Sequence, residues 1–375
     1  MIQRILKNKI ENYIGKGKAI ILIGCRQIGK TTLLNEMFKD ETQILKLNGD
    51  ELDVQAMLTN ISSDRWRSII GKKKLIIIDE AQRIDNIGLK LKLITDNIKD
   101  VQVIATGSSS LDMSSKINEP LTGRKWELKM YPLSFKEMVD HHGLIKELRL
   151  LPHRLIYGYY PDVVTNEGNE IEILKQLTDS YLYKDVLAMS QIKKSDKLVK
   201  LLQALAFQVG SQVSYNELAN LLGLDSKTVE SYITLLEQCY IIFRINSFSR
   251  NLRNELKTSR KIYFYDNGVR NALISNYTSI ENRNDIGALW ENFLISERIK
   301  MTEYTNLFSN KYFWRTKDQA EIDYLEEYDG NLHCYEFKWN PTAKASFPAS
   351  FSNTYANSTF EVIHRDNFER FLGIQ

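Results

Sequence analysis

The sequence lacks long apolar runs and has few cysteines. None of its apolar runs approaches the roughly 20 residues needed to cross a bilayer, so no membrane span and no membrane partner are expected. Its three cysteines, Cys25, Cys239 and Cys334, are scattered, with neither metal-ligand spacing nor the even count of a disulfide framework. We therefore expect a cytoplasmic protein without disulfides or a zinc site.

A strong charge imbalance and low-complexity linkers are also missing. The net charge is +3, with 26% charged and 43% apolar residues. This is the balance of a folded protein, and it neither demands nor excludes nucleic acid. At 375 residues the chain is too long for one ordinary core, so two or three domains are expected. Residues 1–18 predict an opening helix that packs on the first domain.

The first third of the chain predicts an α/β fold. Short apolar runs alternate there with helical patterns, which is typical of a parallel sheet. Continuous apolar character, rather than alternation, suits strands covered on both faces. The predicted strands are 19–23, 44–47, 75–79, 101–106 and 126–130. From about 132 to 190 the pattern becomes helical, interrupted at 157–161, and predicts a lid or connecting subdomain.

A phosphate-binding loop follows the first predicted strand. Residues 24–31 fit G-x-x-x-x-G-K-[ST] at every position, and a helical pattern comes next, so backbone N–H groups and a helix N-terminus would surround a phosphate. We expect Lys30 to reach the β- and γ-phosphates and the Thr31 hydroxyl to bind Mg²⁺. The residues expected to bind ATP are Gly24, Cys25, Arg26, Gln27, Ile28, Gly29, Lys30, Thr31 and Thr32.

Two later strands end in polar residues that suit the same site. The strand at 75–79 ends in Asp79, followed by Glu80, and strand ends in parallel sheets meet at the ligand-binding edge. Asp79 is expected to hold Mg²⁺, and Glu80 to position or deprotonate the attacking water. Thr106 would reach the γ-phosphate or the water from the neighbouring strand. The alternative is an ordinary turn capped by serine. Arg124 precedes the last strand and contacts nucleotide, a neighbouring subunit or only solvent.

The sequence resembles a widespread bacterial and archaeal family of AAA-type ATPases with an uncharacterised C-terminal region. The resemblance implies ATP binding and hydrolysis, and it leaves the physiological task open. It covers nearly the whole chain. The residues that carry it are 24–31, 78–82, 106–110, 121–124, 131–135, 157–161 and 314–316.

The middle of the chain predicts a helix-turn-helix. Ser214 and Glu217 form a capping-box pattern at the start of a helix over 215–222, which stops at Gly223. A second helix starts at 225 or 226. It carries apolar residues on one face, and two short helices joined by a glycine-containing turn are typical of this motif. The apolar residues are Val229, Ile233 and Leu236.

The strands that follow, 241–247 and 261–266, complete the pattern of a winged helix. The loop between them is basic through Arg250, Arg253, Lys257, Arg260 and Lys261. Residues 226–228 would open a recognition helix and the wing would grip DNA phosphates. The open alternative is a module that packs against protein.

The C-terminal region predicts a hairpin with carboxylates on one face. Asp-Gly at 329–330 lies between alternating residues, which is a strong hairpin signal. With these two residues as the turn, Asp323 lies opposite Glu336, and Glu321 opposite Lys338, all on one face. Ile322, Tyr324, Tyr335 and Phe337 form the other, buried face.

Two opposed carboxylates repel each other. A divalent cation between Asp323 and Glu336 would relieve this, and Lys338 would stabilise charge at a phosphodiester. The arrangement resembles the metal-dependent fold of restriction endonucleases, with Glu291 at its first acidic position. The alternative is a solvent-facing hairpin in which Glu321 and Lys338 form a plain cross-strand pair.

The sequence thus predicts three parts and two competing outputs. The parts are an AAA-type ATPase core with a helical lid at 1–190, a winged helix at 191–266 and a restriction-endonuclease-like domain at 267–375. With ATP and Mg²⁺ as cofactors, the output is either DNA processing gated by nucleotide or a regulatory switch whose appended domains bind protein. Assembly into a homo-oligomer would let Arg124 act on a neighbouring subunit.

Overall fold

The computed structural model describes residues 2–108, 121–182, 195–250, 259–316 and 319–374. Ser109, Ser110, Arg253 and Lys257, which belong to predicted motifs, lie outside these ranges. The chain forms two compact units: Met1–Pro132 with Gln238–Tyr240, and Leu133–Glu237 with Ile241–Gln375. The domain boundaries inferred from the sequence stay a prediction. None of the helices in the described ranges combines the length and apolar character that crossing a bilayer requires.

The first unit contains a five-stranded parallel sheet in the order β2-β3-β4-β1-β5. All five residues of β1 are buried, as expected of a strand covered on both faces. The predicted parallel α/β sheet is confirmed, with strand bounds within one residue of the prediction. The strands are β1 Ala19–Ile23, β2 Ile44–Asn48, β3 Leu75–Asp79, β4 Gln102–Gly107 and β5 Lys125–Lys129; the helices are α1 Leu6–Tyr13, α2 Lys30–Met37, α3 Leu52–Leu58, α4 Ser63–Ile70 and α5 Ile87–Asn97.

Helix α1 packs on the first unit, as predicted. Leu6 and Ile10 on one face are fully buried. Just before the helix, the Arg4 guanidinium donates hydrogen bonds to the carbonyl oxygens of Ile28, at 2.9 Å, and Tyr131, at 2.5 Å. The N-terminal segment therefore supports the turn that contains Ile28.

The second unit opens with helices, as the helical pattern from about 132 predicts, while their role as a lid stays a prediction. A capping box starts the first of them, since Ser134 and Glu137 each bond the other's backbone N–H. The interruption at 157–161 has a structural reason: Gly158 has φ +76°, and a Cβ there would lie 2.1 Å from Oδ1 of Asp266. The helices are α6 Phe135–His142, α7 Leu144–Tyr157, α8 Pro161–Thr165 and α9 Glu170–Gln176.

Next come the elements of the predicted winged helix. Ser214 accepts from the backbone N–H of Glu217 at 3.3 Å, and the helix ends at Gly223 in the left-handed conformation. The apolar face of the second helix is buried at Val229, Ile233 and Leu236. The elements are α10 Ser195–Phe207, β6 Gln212–Val213, α11 Tyr215–Leu222, α12 Ser226–Gln238, β7 Ile242–Ser247 and β8 Arg260–Phe264.

The second unit has one seven-stranded sheet in the order β12-β11-β10-β9-β7-β8-β6. Its two halves join where β7 and β9 run parallel, with Asn246 beside Tyr312. The remaining strands are β9 Asn310–Arg315, β10 Glu321–Tyr328, β11 Asn331–Phe337 and β12 Ser358–Ile363; the remaining helices are α13 Asn267–Leu273, α14 Ile286–Thr305, α15 Ala349–Ser352 and α16 Phe368–Phe371.

The hairpin β10–β11 has the predicted register. Asp329 and Gly330 have φ +51° and +76°, the positive values that a two-residue type I′ turn requires. The pairs run from Tyr328 opposite Asn331 to Tyr324 opposite Tyr335. The predicted apolar face is buried.

Candidate functional site

The loop after β1 lies close against the backbone that follows β5. A Cβ at Gly24 would lie 2.1 Å from the carbonyl oxygen of Met130, so only glycine fits there. Gln27 and Gly29 have φ +59° and +89°, and α2 begins at Lys30. The Lys30 ammonium is buried, at 6% exposure, and donates to the carbonyl oxygens of Gly24, at 2.8 Å, and Cys25, at 2.6 Å. The lysine therefore lies against the loop that precedes it.

Three elements bring oxygen atoms together beside this loop. The Thr31 hydroxyl, in α2, donates to Oδ2 of Asp79 at 2.7 Å. The Thr106 hydroxyl, at the end of β4, donates to Oδ1 of the same carboxylate. Hydroxyl and carboxylate oxygens are the ligands that Mg²⁺ prefers, so Thr31 and Asp79 fit this ion.

Glu80 stands at a tight turn after β3. Its φ is +46°, and its backbone N–H donates to the Thr106 hydroxyl at 3.2 Å. Its Oε2 accepts from Nε2 of Gln82 at 2.5 Å. A Cβ at Gly49 would lie 2.3 Å from the carbonyl oxygen of Glu80. The sequence interpretation missed the contributions of Gly49 and Gln82; the glycine right after a strand was the only available signal for the first.

Arg124 lies at the opposite end of the sheet. Lys125 pairs with Ala19, the first residue of β1, whereas the phosphate-binding loop follows the last residue of that strand. Nε of Arg124 bonds Oδ1 of Asp96 at 2.6 Å. A parallel strand rises about 3.3 Å per residue, so the length of β1 separates this arginine from the loop. The prediction that Arg124 contacts nucleotide stays a prediction, and this position does not support contact with a nucleotide in the loop of the same chain.

A second cluster of charges surrounds Lys261, in β8. Its Nζ lies 3.1 Å from Oε1 of Glu291 and 2.8 Å from Oε1 of Glu321, and the residue is only 2% exposed. The Tyr263 hydroxyl donates to Glu291 at 2.6 Å. Burial disfavours the charged ammonium, but the charges of Glu291, Asp323 and Glu321 outweigh it and raise the pKa of Lys261. The basic pattern of the sequence predicts Lys261 in the wing, whereas the structure buries it.

Asp323 is the most perturbed carboxyl of this cluster. Burial, together with the charges of Glu291 and Glu336, raises its pKa to about 8. Its Oδ2 accepts from the backbone N–H of Phe337 at 2.9 Å. Lys338 donates to Oε1 of Glu336 at 2.7 Å. The structure thus brings the predicted residues together around Asp323.

Replacing Asp323 by asparagine should stabilise the second unit at alkaline pH. Because the pKa of Asp323 is about 8 in the folded chain against an ordinary 3.8, its contribution to stability is complete below pH 4 and is lost as pH rises to 8. Asparagine has no charge to bury and can still accept from Phe337. The melting temperature of Asp323→Asn should therefore exceed that of wild type at pH 8, by a margin that shrinks toward pH 5. A lower melting temperature at pH 8 would contradict this.

The carboxylates of this cluster are not arranged as an open set of metal ligands. Among the described residues, no group of three or more His, Cys, Asp or Glu side chains is arranged to hold a metal. Instead, Lys261 and Lys338 form ion pairs with these carboxylates. Glu321 bonds Lys261 rather than Lys338, because Lys338 turns to Glu336; the alternative of a cross-strand Glu321–Lys338 pair is therefore wrong. Metal binding by Asp323 and Glu336 stays a prediction.

The described basic residues of the predicted wing already have partners. Arg250 bonds Glu327 at 3.1 Å, and the Arg260 guanidinium lies 4.5 Å from the ring of Tyr215. Lys261 does not belong to a surface wing, because it follows the first residue of β8 and is buried. DNA binding through the wing stays a prediction without support from these contacts.

Most of the first unit matches a known protein family. The family described as an AAA domain matches residues 16–139, which include the loop, Asp79, Glu80 and Thr106. This region is similar to AAA-type P-loop ATPase domains, which supports ATP binding and hydrolysis. Two domains of unknown function, DUF8612 and DUF4143, match residues 148–281 and 286–368.

Similar proteins span most of the chain. An uncharacterized protein of Mycobacterium tuberculosis is 24% identical over 343 residues, 90% of this chain and 74% of the relative. One of Methanocaldococcus jannaschii is 25% identical over 352 residues, 86% of this chain and 75% of the relative. The solved structure of a Walker-type ATPase of Pyrococcus abyssi matches with a TM-score of 0.50 and 15% identity, over 73% of this chain and 96% of that one; this likeness shows the fold.

Proposed function

We propose that the chain is a Mg²⁺-dependent ATPase whose nucleotide state controls the region that follows the ATPase domain. The observation that carries the ATPase proposal is the convergence of Thr31, Thr106 and Asp79 beside the loop that ends in Lys30. Hydroxyl, carboxylate and ammonium groups from different elements meet at one edge of a parallel sheet, where such sheets bind ligands.

Each residue of the site has a proposed task. The Lys30 ammonium exchanges its loop carbonyls for the β- and γ-phosphates of ATP, and the loop N–H groups hold the β-phosphate. Glu80 orients the attacking water and accepts its proton. Thr106 fixes Asp79 and the backbone of Glu80. Thr31 and Asp79 would hold Mg²⁺, which when bound neutralises charge on the phosphates.

Replacing Lys30 by alanine tests the ATPase proposal. Loss of one preorganised donor to developing charge costs about 10²–10³-fold in kcat, so Lys30→Ala should lower Mg²⁺-dependent phosphate release by that factor. Lys46→Ala is the matched control, because Lys46 is an exposed lysine of the same unit, bonded to Asn35 at 2.8 Å. Equal phosphate release by the two variants would contradict the proposal.

Arg124 is proposed to act on the nucleotide of a neighbouring subunit. An arginine supplied in trans is worth about 10³–10⁵ in kcat. Arg124→Ala should therefore be slow alone and regain turnover when mixed with Lys30→Ala, since each variant supplies what the other lacks. A mixture no faster than its components would contradict action in trans. The Arg124–Asp96 pair is partly exposed and worth about 0–1 kcal/mol, so folding should persist.

The region after the ATPase domain is proposed to contain a winged helix at 191–266 and a nuclease-like domain at 267–375, with the ATPase core and its helical lid at 1–190. The order helix, strand, helix, helix, strand, strand from α10 to β8 supports the first. The meeting of Glu291, Asp323 and the Glu336–Lys338 pair supports the second. Bound and hydrolysed nucleotide would bias the arrangement of these parts, as in other nucleotide switches.

Cleavage of a DNA phosphodiester is a second candidate function, favoured by the raised pKa of Asp323 within a cluster of carboxylates and lysines. Plasmid nicking with Mg²⁺ should then be lost in Glu336→Ala, retained in Glu327→Ala and altered by ATP only when Lys30 is intact. Glu327 is a control on the same hairpin, paired with Arg250. Absence of nicking alongside normal ATP turnover would instead favour a switch whose appended domains bind protein.

A further inference from the structure

Gln82 connects two strand ends of the ATPase site. It lies in the short helical turn Ala81–Arg83 and is only 5% exposed. Its Nε2 donates to Oε2 of Glu80 at 2.5 Å and to the Ser108 hydroxyl at 3.0 Å. One buried carboxamide therefore ties the acid after β3 to the residue after β4.

The orientation of the Glu80 side chain depends on a hydrogen bond of this kind. Its backbone holds φ +46°, a strained conformation for a residue other than glycine. Gly49 lies against its carbonyl oxygen, where a Cβ would come within 2.3 Å. The backbone is thus fixed, but the glutamate side chain keeps several rotatable bonds whose freedom must be lost for one orientation to dominate. The carboxamide of Gln82 selects that orientation.

Hydroxyl groups at and just after the end of β4 hold both Asp79 and Glu80, the first directly and the second through Gln82. The Thr106 hydroxyl bonds Asp79, and the Ser108 hydroxyl bonds the amide that bonds Glu80. The hydroxyls at 106 and 108 therefore both bond groups at or just after the end of β3. Ser108 is 4% exposed, so this second bond is sheltered from water.

We propose that Gln82 is a positioning residue for ATP hydrolysis: its carboxamide, held by Ser108, fixes the Glu80 carboxylate in the orientation that aligns the attacking water. In this proposal Gln82 acts through Glu80, whose carboxylate it bonds. The inference rests on the role proposed above for Glu80.

The test is steady-state ATP turnover of the full chain with Gln82→Met, Glu80→Gln and the double variant. Methionine keeps the shape of the side chain and removes the donor. A catalytic group misplaced by about 1 Å loses about 100-fold in rate, so kcat of Gln82→Met should fall by about this factor while KM for ATP stays unchanged. In the Glu80→Gln background the same substitution should change nothing, because the group that it positions is already lost.

The outcomes separate the inference from the proposed function. Wild-type turnover of Gln82→Met, or a further fall when it is added to Glu80→Gln, overturns the inference alone, since the second result would show a general structural role. Wild-type turnover of Glu80→Gln overturns the proposed role of Glu80 and the inference together but leaves the ATPase proposal standing, which Lys30→Ala tests. Should Gln82→Met fail to fold, Ser108→Ala replaces it: it removes the second bond of the amide and should lower kcat severalfold at unchanged KM, and an unchanged kcat overturns the inference.

Discussion

Glu80→Gln is expected to abolish ATP turnover while leaving ATP binding intact. A general base contributes about 10²–10⁴-fold to a rate, and the substitution removes the base without changing the size of the side chain. The phosphates would still meet Lys30 and the loop, so nucleotide affinity should stay within a small factor of wild type. The measurement is phosphate release at saturating Mg²⁺-ATP, together with a titration of a fluorescent ATP analogue.

A matched substitution controls for lost negative charge near the site. Glu51, the residue before α3, is exposed and follows the same β2 end as Gly49, so Glu51→Gln should turn over as wild type does. Turnover by Glu80→Gln at the wild-type rate would remove Glu80 from the mechanism. A large loss of ATP affinity would instead indicate that Glu80 helps to form the binding site.

The second large effect is expected at Lys261. Its ammonium lies between Glu291 and Glu321, and removing one partner of a buried ion pair costs roughly 3–5 kcal/mol because the other charge stays buried and unpaired. Lys261→Met keeps an unbranched side chain but leaves the carboxylates without this cation, and it also removes the ammonium that lies 5.4 Å from the centre of the Phe313 ring. The free energy of unfolding of the second unit should fall by that amount at pH 7.

Urea unfolding of the full chain measures this loss, with the transition of the second unit followed separately. Lys344→Met is the control, since Lys344 is exposed and should change stability by less than about 0.5 kcal/mol. A loss equal to that of the control would show that the cluster tolerates the missing cation.

Much of the ATPase site could be predicted from the sequence, because its signals are local. The strands around Ile23 and Asp79 are continuous apolar runs, and the loop pattern fixes the roles expected of Lys30 and Thr31 through spacing alone. The hairpin register could also be predicted, since Asp329 and Gly330 specify their own turn geometry.

The misplaced residues are those whose position depends on pairing between distant strands. Arg124 precedes β5, but only the pairing of Lys125 with Ala19 shows that it lies at the far end of the sheet. Lys261 sits in a basic stretch that suggests a surface loop. Its burial depends on the meeting of β8 with α14 and β10, elements separated along the chain, so no local pattern could indicate it.

The parallel pairing of β7 with β9 has a consequence for how this protein can be divided. A chain that stopped at residue 266 would keep β7 but lose β9, and would expose the backbone N–H and carbonyl groups of β7 along an open edge. Open strand edges recruit other chains and promote aggregation. Fragments that end at this point should therefore be insoluble when expressed. Recombination between related genes should keep both halves of the seven-stranded sheet together.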